Sequence, residues 1–214
     1  MTTGPISFKS INEQACTKVC TRGTMKRNIA IIMALPVESH NLFENENIHI
    51  YYSGIGKVNA TIKTMEIIQT QKYNHILNLG SAGSSKFNTH SLVEINQFIQ
   101  KDMDITPLGY KIGETPMDEI SYHLPVHHFL TDLPKGSCGT ADGFDIGQFK
   151  IQTDVADMEA YAIAKTCIKF NVGFTSIKYI TDGEDHNAHN DWQANLITGA
   201  HKLLEIYKKI RSNF

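Results

Sequence analysis

The run Asn28-Ile-Ala-Ile-Ile-Met-Ala-Leu35 constrains the fold more than any other stretch of this chain. It is continuously apolar rather than alternating, which is the pattern of a strand covered on both faces by other elements. Pro36 ends the run, because its ring removes a ladder donor while its fixed φ suits the first turn of a helix. Glu38 therefore falls in the first turn after a central strand.

Two further acids occupy similar places. Glu159, in Asp157-Met-Glu-Ala160, opens a helical pattern that continues through Ala162, Ile163, Ala164, Cys167 and Ile168. Asp182, in Thr181-Asp-Gly183, follows the strand-like run Phe174–Ile180. Each has a simple reading by itself. A first-turn carboxylate is favoured by the helix macrodipole, and Asp before Gly starts turns. An acid at the end of a buried element is nonetheless costly unless it is paired, hydrogen-bonded or used. Three such acids point to one crevice at the carboxyl edge of a sheet, where α/β proteins bind ligands.

A chain of 214 residues suffices for one sizeable α/β domain. A net charge of −2, with scattered lysines, gives no footprint for nucleic acid. No apolar run approaches the roughly 18 residues that a membrane span needs. The cysteines Cys16, Cys20, Cys138 and Cys167 do not form a secreted framework, and Cys167 falls on the apolar side of its helix. A reducing, cytoplasmic setting is expected. Residues 1–24 are polar and unlike the rest. Either Met25 is the natural start, the reading favoured here, or these residues form an extension before a catalytic domain at 25–214.

Along the chain, Asn47–Ser53 alternates as a strand, Gly54-Ile-Gly56 is a turn, and a helix opens at Lys57. His75–Leu79 reads as a strand and Gly80-Ser-Ala-Gly83 as the turn that follows it. Val93–Ile99 is a strand, residues 101–119 are loop, a short strand lies near His128–Leu130, and Gly136–Gly143 is Gly-rich. A helix at Asp157–Phe170, a strand at 174–180 and a helix at about Asp191–Ile210 complete the chain. Strands alternating with helices argue for an α/β fold with a mainly parallel or mixed sheet. Neither Gly-rich turn completes a P-loop or dinucleotide fingerprint. Each is either a tight turn or a place where backbone N–H groups approach a ligand. His186 and His189 lie in a polar loop without a third ligand, so no metal is expected.

These segments, in their order, resemble the nucleoside phosphorylase superfamily, and within it the 5′-methylthioadenosine/S-adenosylhomocysteine nucleosidases. The matching stretches are Ile29-Ala30 through Ala34-Leu-Pro-Val-Glu38, Ser53-Gly-Ile-Gly-Lys-Val58, Asn78-Leu-Gly-Ser-Ala-Gly83, Asp104-Ile-Thr-Pro-Leu-Gly-Tyr110, Ala141-Asp-Gly-Phe144, Asp157-Met-Glu-Ala160 and Ile180-Thr-Asp182. The resemblance implies a single-domain, three-layer α/β/α fold with a central mixed β-sheet flanked by helices. It implies catalytic roles for Glu38 (orienting water), Asp182 (protonating purine N7) and Glu159 (binding the ribose hydroxyls with Met158). Phe144 would stack on the base. Ser81, Ala82 and Gly83 would line the site near the water and sugar. Leu35, Ile55, Ile105, Leu108, Pro116 and Trp192 would form the apolar pocket for the 5′ substituent. The part around Leu108 and Pro116 would come from the second subunit of a homodimer. The implied partner is a small nucleoside, with no cofactor.

The choice between water and phosphate has a signal in the residues themselves. Phosphate is best gripped by the planar fork of arginine. The chain has only Arg22, Arg27 and Arg211, and none between residues 28 and 210. Lys57 is the remaining candidate, a single flexible point charge. Hydrolysis is therefore expected. A related hydrolase with another base or 5′ group (futalosine-type), a phosphate-dependent phosphorylase and a non-catalytic nucleoside-binding protein stay open as alternatives. Pro36-Val37 and Leu108 depart from the family pattern and bear on the preferred 5′ group.

Overall fold

The computed structural model describes residues 27–126, 130–143, 149–183 and 188–213. Residues 1–24 with Cys16 and Cys20, the expected stacking residue Phe144, the pair His127-His128 and the loop residue His186 lie outside these. So does most of the short strand expected near His128.

Strand β1 (Ile29–Met33) runs into helix α1 (Pro36–Ser39). Strand β2 (Ile50–Tyr52) leads through the Gly54–Gly56 turn into α2 (Lys57–Gln69). Then come β3 (His75–Gly83), β4 (Leu92–Gln100), β5 (His123–Pro125), β6 (Lys135–Thr140) and β7 (Val155–Asp157). Helix α3 (Ala160–Lys169), β8 (Gly173–Asp182) and α4 (Ala188–Ile210) follow. The eight strands form one mixed sheet, in which β1 pairs in parallel with both β2 and β3. Strands β3, β8, β4, β6 and β7 pair successively, and β7 returns to β3 through Gly83 and Ala156. This part of the sheet closes into a ring.

The expectation that β1 is covered on both faces is met. Ile31 and Met33 pack with Leu77, Leu79 and Leu203 beneath α4, while Ala30 and Ile32 pack with Ile67 of α2 and Ile163 of α3. Side chains alternate along a strand, so both faces must be apolar where helices lie on each side. Cys167 is fully buried in the second of these clusters.

Three expected elements differ. Gly80-Ser-Ala-Gly83 is not a turn: β3 continues through Gly83, in parallel register with Lys178–Asp182 of β8. The Gly-rich segment from Gly136 contains β6, and β7 precedes α3, which begins at Ala160 rather than Asp157. These strands are short or rich in small residues, so they carry little local signal and are defined by the neighbours they pair with.

Candidate active site

The carboxyl ends of β1, β3, β7 and β8 converge on one cleft of about 240 Å³. Its walls include Ala34, Leu35 and Glu38 from the β1–α1 junction, Ser81, Ala82 and Gly83 from the end of β3, and Ile55 from the Gly turn. Ala156, Asp157, Met158 and Glu159 of the β7–α3 junction, Thr181 and Asp182 of β8, and Trp192 of α4 complete it. The three acids singled out from the sequence thus share one cavity. They are 5% (Glu38), 7% (Glu159) and 4% (Asp182) exposed.

Glu38 is held from both sides. Its Oε2 accepts the N–H groups of Ala34 and Leu35 at 3.1 and 3.0 Å. Its Oε1 accepts the N–H and the hydroxyl of Ser81 at 2.8 and 2.7 Å. The close approach to β3 depends on Gly80: a Cβ there would stand 3.2 Å from Glu38 Oε1 and 3.6 Å from Lys178 Nζ. The Gly80–Gly83 stretch therefore acts as a site wall, its Ser81 N–H turned to a carboxylate.

Glu159 sits at the N-cap position of α3, yet its side chain does not cap the helix. Asp157 Oδ2 accepts the Ala160 N–H at 2.9 Å instead. Glu159 is left to face the cleft, where its Oε1 accepts the Gly56 N–H at 2.9 Å. Gly54 and Gly56 both have positive φ (81° and 92°), so this turn needs residues without a Cβ. Burial, reinforced by the neighbouring charge of Asp157, pushes the Glu159 carboxyl up to about 8. The macrodipole explanation of Glu159 gives way to this cleft-facing role.

Beneath the acids lies a pair the sequence reading did not assign. Lys178 Nζ is 2.8 Å from Asp157 Oδ2, and the two side chains are 2% and 1% exposed. Burial alone would raise the Asp157 carboxyl. The Lys178 charge and hydrogen bonds from Lys178, Thr140 and the Ala160 N–H prevail and hold it below its usual range. Burial likewise disfavours the Lys178 ammonium, but the Asp157 charge outweighs it and raises the lysine. The available signal was a lysine, the one charged residue in the strand-like run 174–180.

Asp182 ends β8. Thr181 Oγ1 donates to its Oδ2 at 2.7 Å, and Asn195 Nδ2 of α4 ties down the Thr181 carbonyl at 2.8 Å. Trp192 donates its indole N–H to Ser81 Oγ at 2.9 Å.

Lys57, the one remaining candidate for gripping a phosphate, is engaged elsewhere. Its Nζ is 2.5 Å from Asp102 and 3.3 Å from Asp142. Its main-chain N–H donates to Asp142 Oδ1 at 2.7 Å, and the Asp142 N–H to Asp102 Oδ2 at 2.9 Å. This bracket fixes the Gly turn that serves Glu159.

Ile105, Leu108 and Pro116 do not line the cleft of this chain. Ile105 precedes a 3₁₀ turn, Thr106–Leu108. The turn is pinned by Asp104, which accepts the N–H and hydroxyl of Thr106 at 3.1 and 2.7 Å and pairs with Lys150. Leu108 is left 72% exposed.

Residues 32–211 match the model of a family described as the phosphorylase superfamily. The chain is 31% identical over 191 residues to the 5′-methylthioadenosine/S-adenosylhomocysteine nucleosidase of Buchnera aphidicola subsp. Acyrthosiphon pisum, covering 80% of this chain and 82% of that one. Its fold is similar to that of the Helicobacter pylori nucleosidase of the same name bound to butyl-thio-DADMe-Immucillin-A. The TM-score is 0.79 at 21% identity, covering 88% of this chain and 99% of that one. It is equally similar to the futalosine hydrolase of Helicobacter pylori, with TM-score 0.78, 21% identity and coverage of 88% and 98%.

Proposed function

The chain belongs to the phosphorylase superfamily and, within it, to the methylthioadenosine/S-adenosylhomocysteine nucleosidases, and we propose that it hydrolyses the N-glycosidic bond of 5′-thio-substituted adenosines to adenine and the thioribose. The observation that carries this reading is the convergence of Glu38, Glu159 and Asp182 in one buried cleft.

The chemistry needs acids in distinct roles. As the bond breaks, the ribose becomes oxocarbenium-like and the base gains negative charge. Asp182 delivers a proton to N7 and neutralises the leaving group. Glu38, fixed by four donors, orients the water. Glu159 and Met158 hold the ribose; Glu159 gives up its proton to solvent as the ribose hydroxyls donate to it, and the resulting carboxylate favours the developing cation. By the family resemblance, Phe144 is the ring proposed to stack on the base.

Water rather than phosphate is the nucleophile. The arginine gap from residue 28 to 210 supports this, as does the pairing of Lys57 with Asp102 and Asp142 and of Lys178 with Asp157. The cleft is completed by a second copy of the chain. Leu108 is exposed, as are Val58 and Ile62 on α2 and Met117. Exposed apolar side chains of this kind are what a subunit interface would cover. Residues 25–214 constitute the catalytic unit, residues 1–24 precede it, and the setting is cytoplasmic. Among the described residues no helix is long and apolar enough to cross a membrane.

The test is adenine release from methylthioadenosine in phosphate-free buffer. Release that added phosphate does not accelerate supports the hydrolase. Release that requires phosphate would make the chain a phosphorylase, and binding without release would make it a nucleoside-binding protein.

A further inference from the structure

Trp192 is the chain's single tryptophan, and its resemblance-based role is only that of a wall for the 5′ substituent. The geometry adds a polar function. The indole N–H can only donate, and it donates to Ser81 Oγ at 2.9 Å. A serine hydroxyl carries one proton and accepts through its lone pairs. With Trp192 occupying the acceptor side, the proton is turned outward, and the atom 2.7 Å away in that role is Glu38 Oε1. The same Oε1 also takes the Ser81 N–H at 2.8 Å, so Ser81 grips one carboxylate oxygen twice. The other oxygen is held, among the described residues, by the main-chain N–H groups of Ala34 and Leu35.

We propose that Trp192 is a positioning residue: through Ser81 it fixes the rotamer of the water-orienting acid Glu38, tying α4 to the junction of β1 and α1. The inference rests on the hydrolase reading and deepens it. Glu38 and Ser81 stand on elements fixed by the sheet, whereas the donor arrives from a helix late in the chain. The orientation of the hydroxyl is therefore a tertiary contribution that a phenyl ring, which has no N–H, would not supply. If Trp192 only lines the 5′ pocket, its loss affects substrate binding. If it orients Ser81 and Glu38, its loss affects turnover.

The experiment is steady-state adenine release by the full chain and by the W192F, S81A and W192F/S81A variants. The expected result for W192F is a kcat lowered roughly three- to tenfold, the worth of one neutral hydrogen bond, with KM changed less than about twofold. On the S81A background W192F has no further effect, because the bond it removes is already gone. An unchanged kcat with a raised KM, or full additivity in the double variant, would overturn the proposal. The single indole supplies a second readout that needs no turnover. S81A shifts the Trp192 emission maximum in a protein whose circular dichroism is unchanged, and an unmoved maximum would also overturn it. Absence of adenine release by the wild-type chain would refute the hydrolase reading instead, and the emission arm then decides the Trp192–Ser81 bond by itself.

Discussion

The ammonium of Lys178 lies 2.8 Å from Oδ2 of Asp157, and both side chains are closed to solvent. Around this pair the cleft is assembled. Asp157 caps α3 and so leaves Glu159 to the cleft, and Lys178 stands across Gly80 from Glu38. A buried pair of this kind adds little net stability over an apolar substitute, yet removing one partner strands the other. Lys178→Met is expected to destabilise the protein by about 3–5 kcal/mol. Denaturant unfolding measures it, and a loss under about 1 kcal/mol would show that Asp157 has other compensation.

Gly80 makes room for that arrangement. Gly80→Ala places a methyl 3.2 Å from Glu38 Oε1, tighter than ordinary contact. The expected outcome is a turnover loss of at least about tenfold with a fold that remains intact, since β3 tolerates a small side chain. Thermal melting alongside kinetics distinguishes this from simple unfolding.

Glu159 titrates at about 8 in the folded protein, against an ordinary value of 4.5. Because the folded state holds this proton more tightly, its stabilising contribution is complete below about pH 4.5 and is lost as pH rises through 8. Glu159→Gln removes the dependence. Its melting temperature should exceed that of the wild type by about 4 °C or more at pH 8.5, with the gap closing toward pH 5. Equal melting curves at pH 8.5 would contradict the shift.

The same proton bears on binding. If ribose hydroxyls donate to an ionised Glu159, nucleoside binding at pH 7 releases up to one proton. Calorimetry in buffers of different ionisation enthalpy reads this directly, and Glu159→Gln abolishes it.

Asp182→Asn keeps the shape of the cleft and its Thr181 contact but removes the transferable proton. Adenine release is expected to fall at least about a hundredfold while ligand affinity stays within a few fold. Near-normal turnover would exclude Asp182 as the acid at N7.

Much of this site was legible along the chain. Glu38, Glu159 and Asp182 stood out because each is an acid at the end of an apolar element, and such breaks in pattern are local. Strand β1 declared itself by the absence of alternation, α2 by the glycine turn before it, and α4 by the helical spacing of Trp192, Leu196, Leu203, Tyr207 and Ile210. Ser81, Met158 and Trp192 were reached only through the family resemblance, as was Ile105, which is not among the residues lining the cleft of this chain.

Other features were decided by the folded chain alone. Gly80–Gly83 reads locally as a turn and is a strand, because pairing with β8 supplies what its small residues lack. Lys57 reads as a spare cation and is held by Asp102 and Asp142. Lys178 reads as a polar lapse in a strand and becomes the counter-ion of Asp157. The division has one physical cause. Burial and periodicity are written into neighbouring residues, so the sequence determined the elements and where its acids fall within them. The partner of a charge or a hydrogen bond is set by the closure of the sheet, which brings together residues far apart in the chain, and only the tertiary structure could assign it.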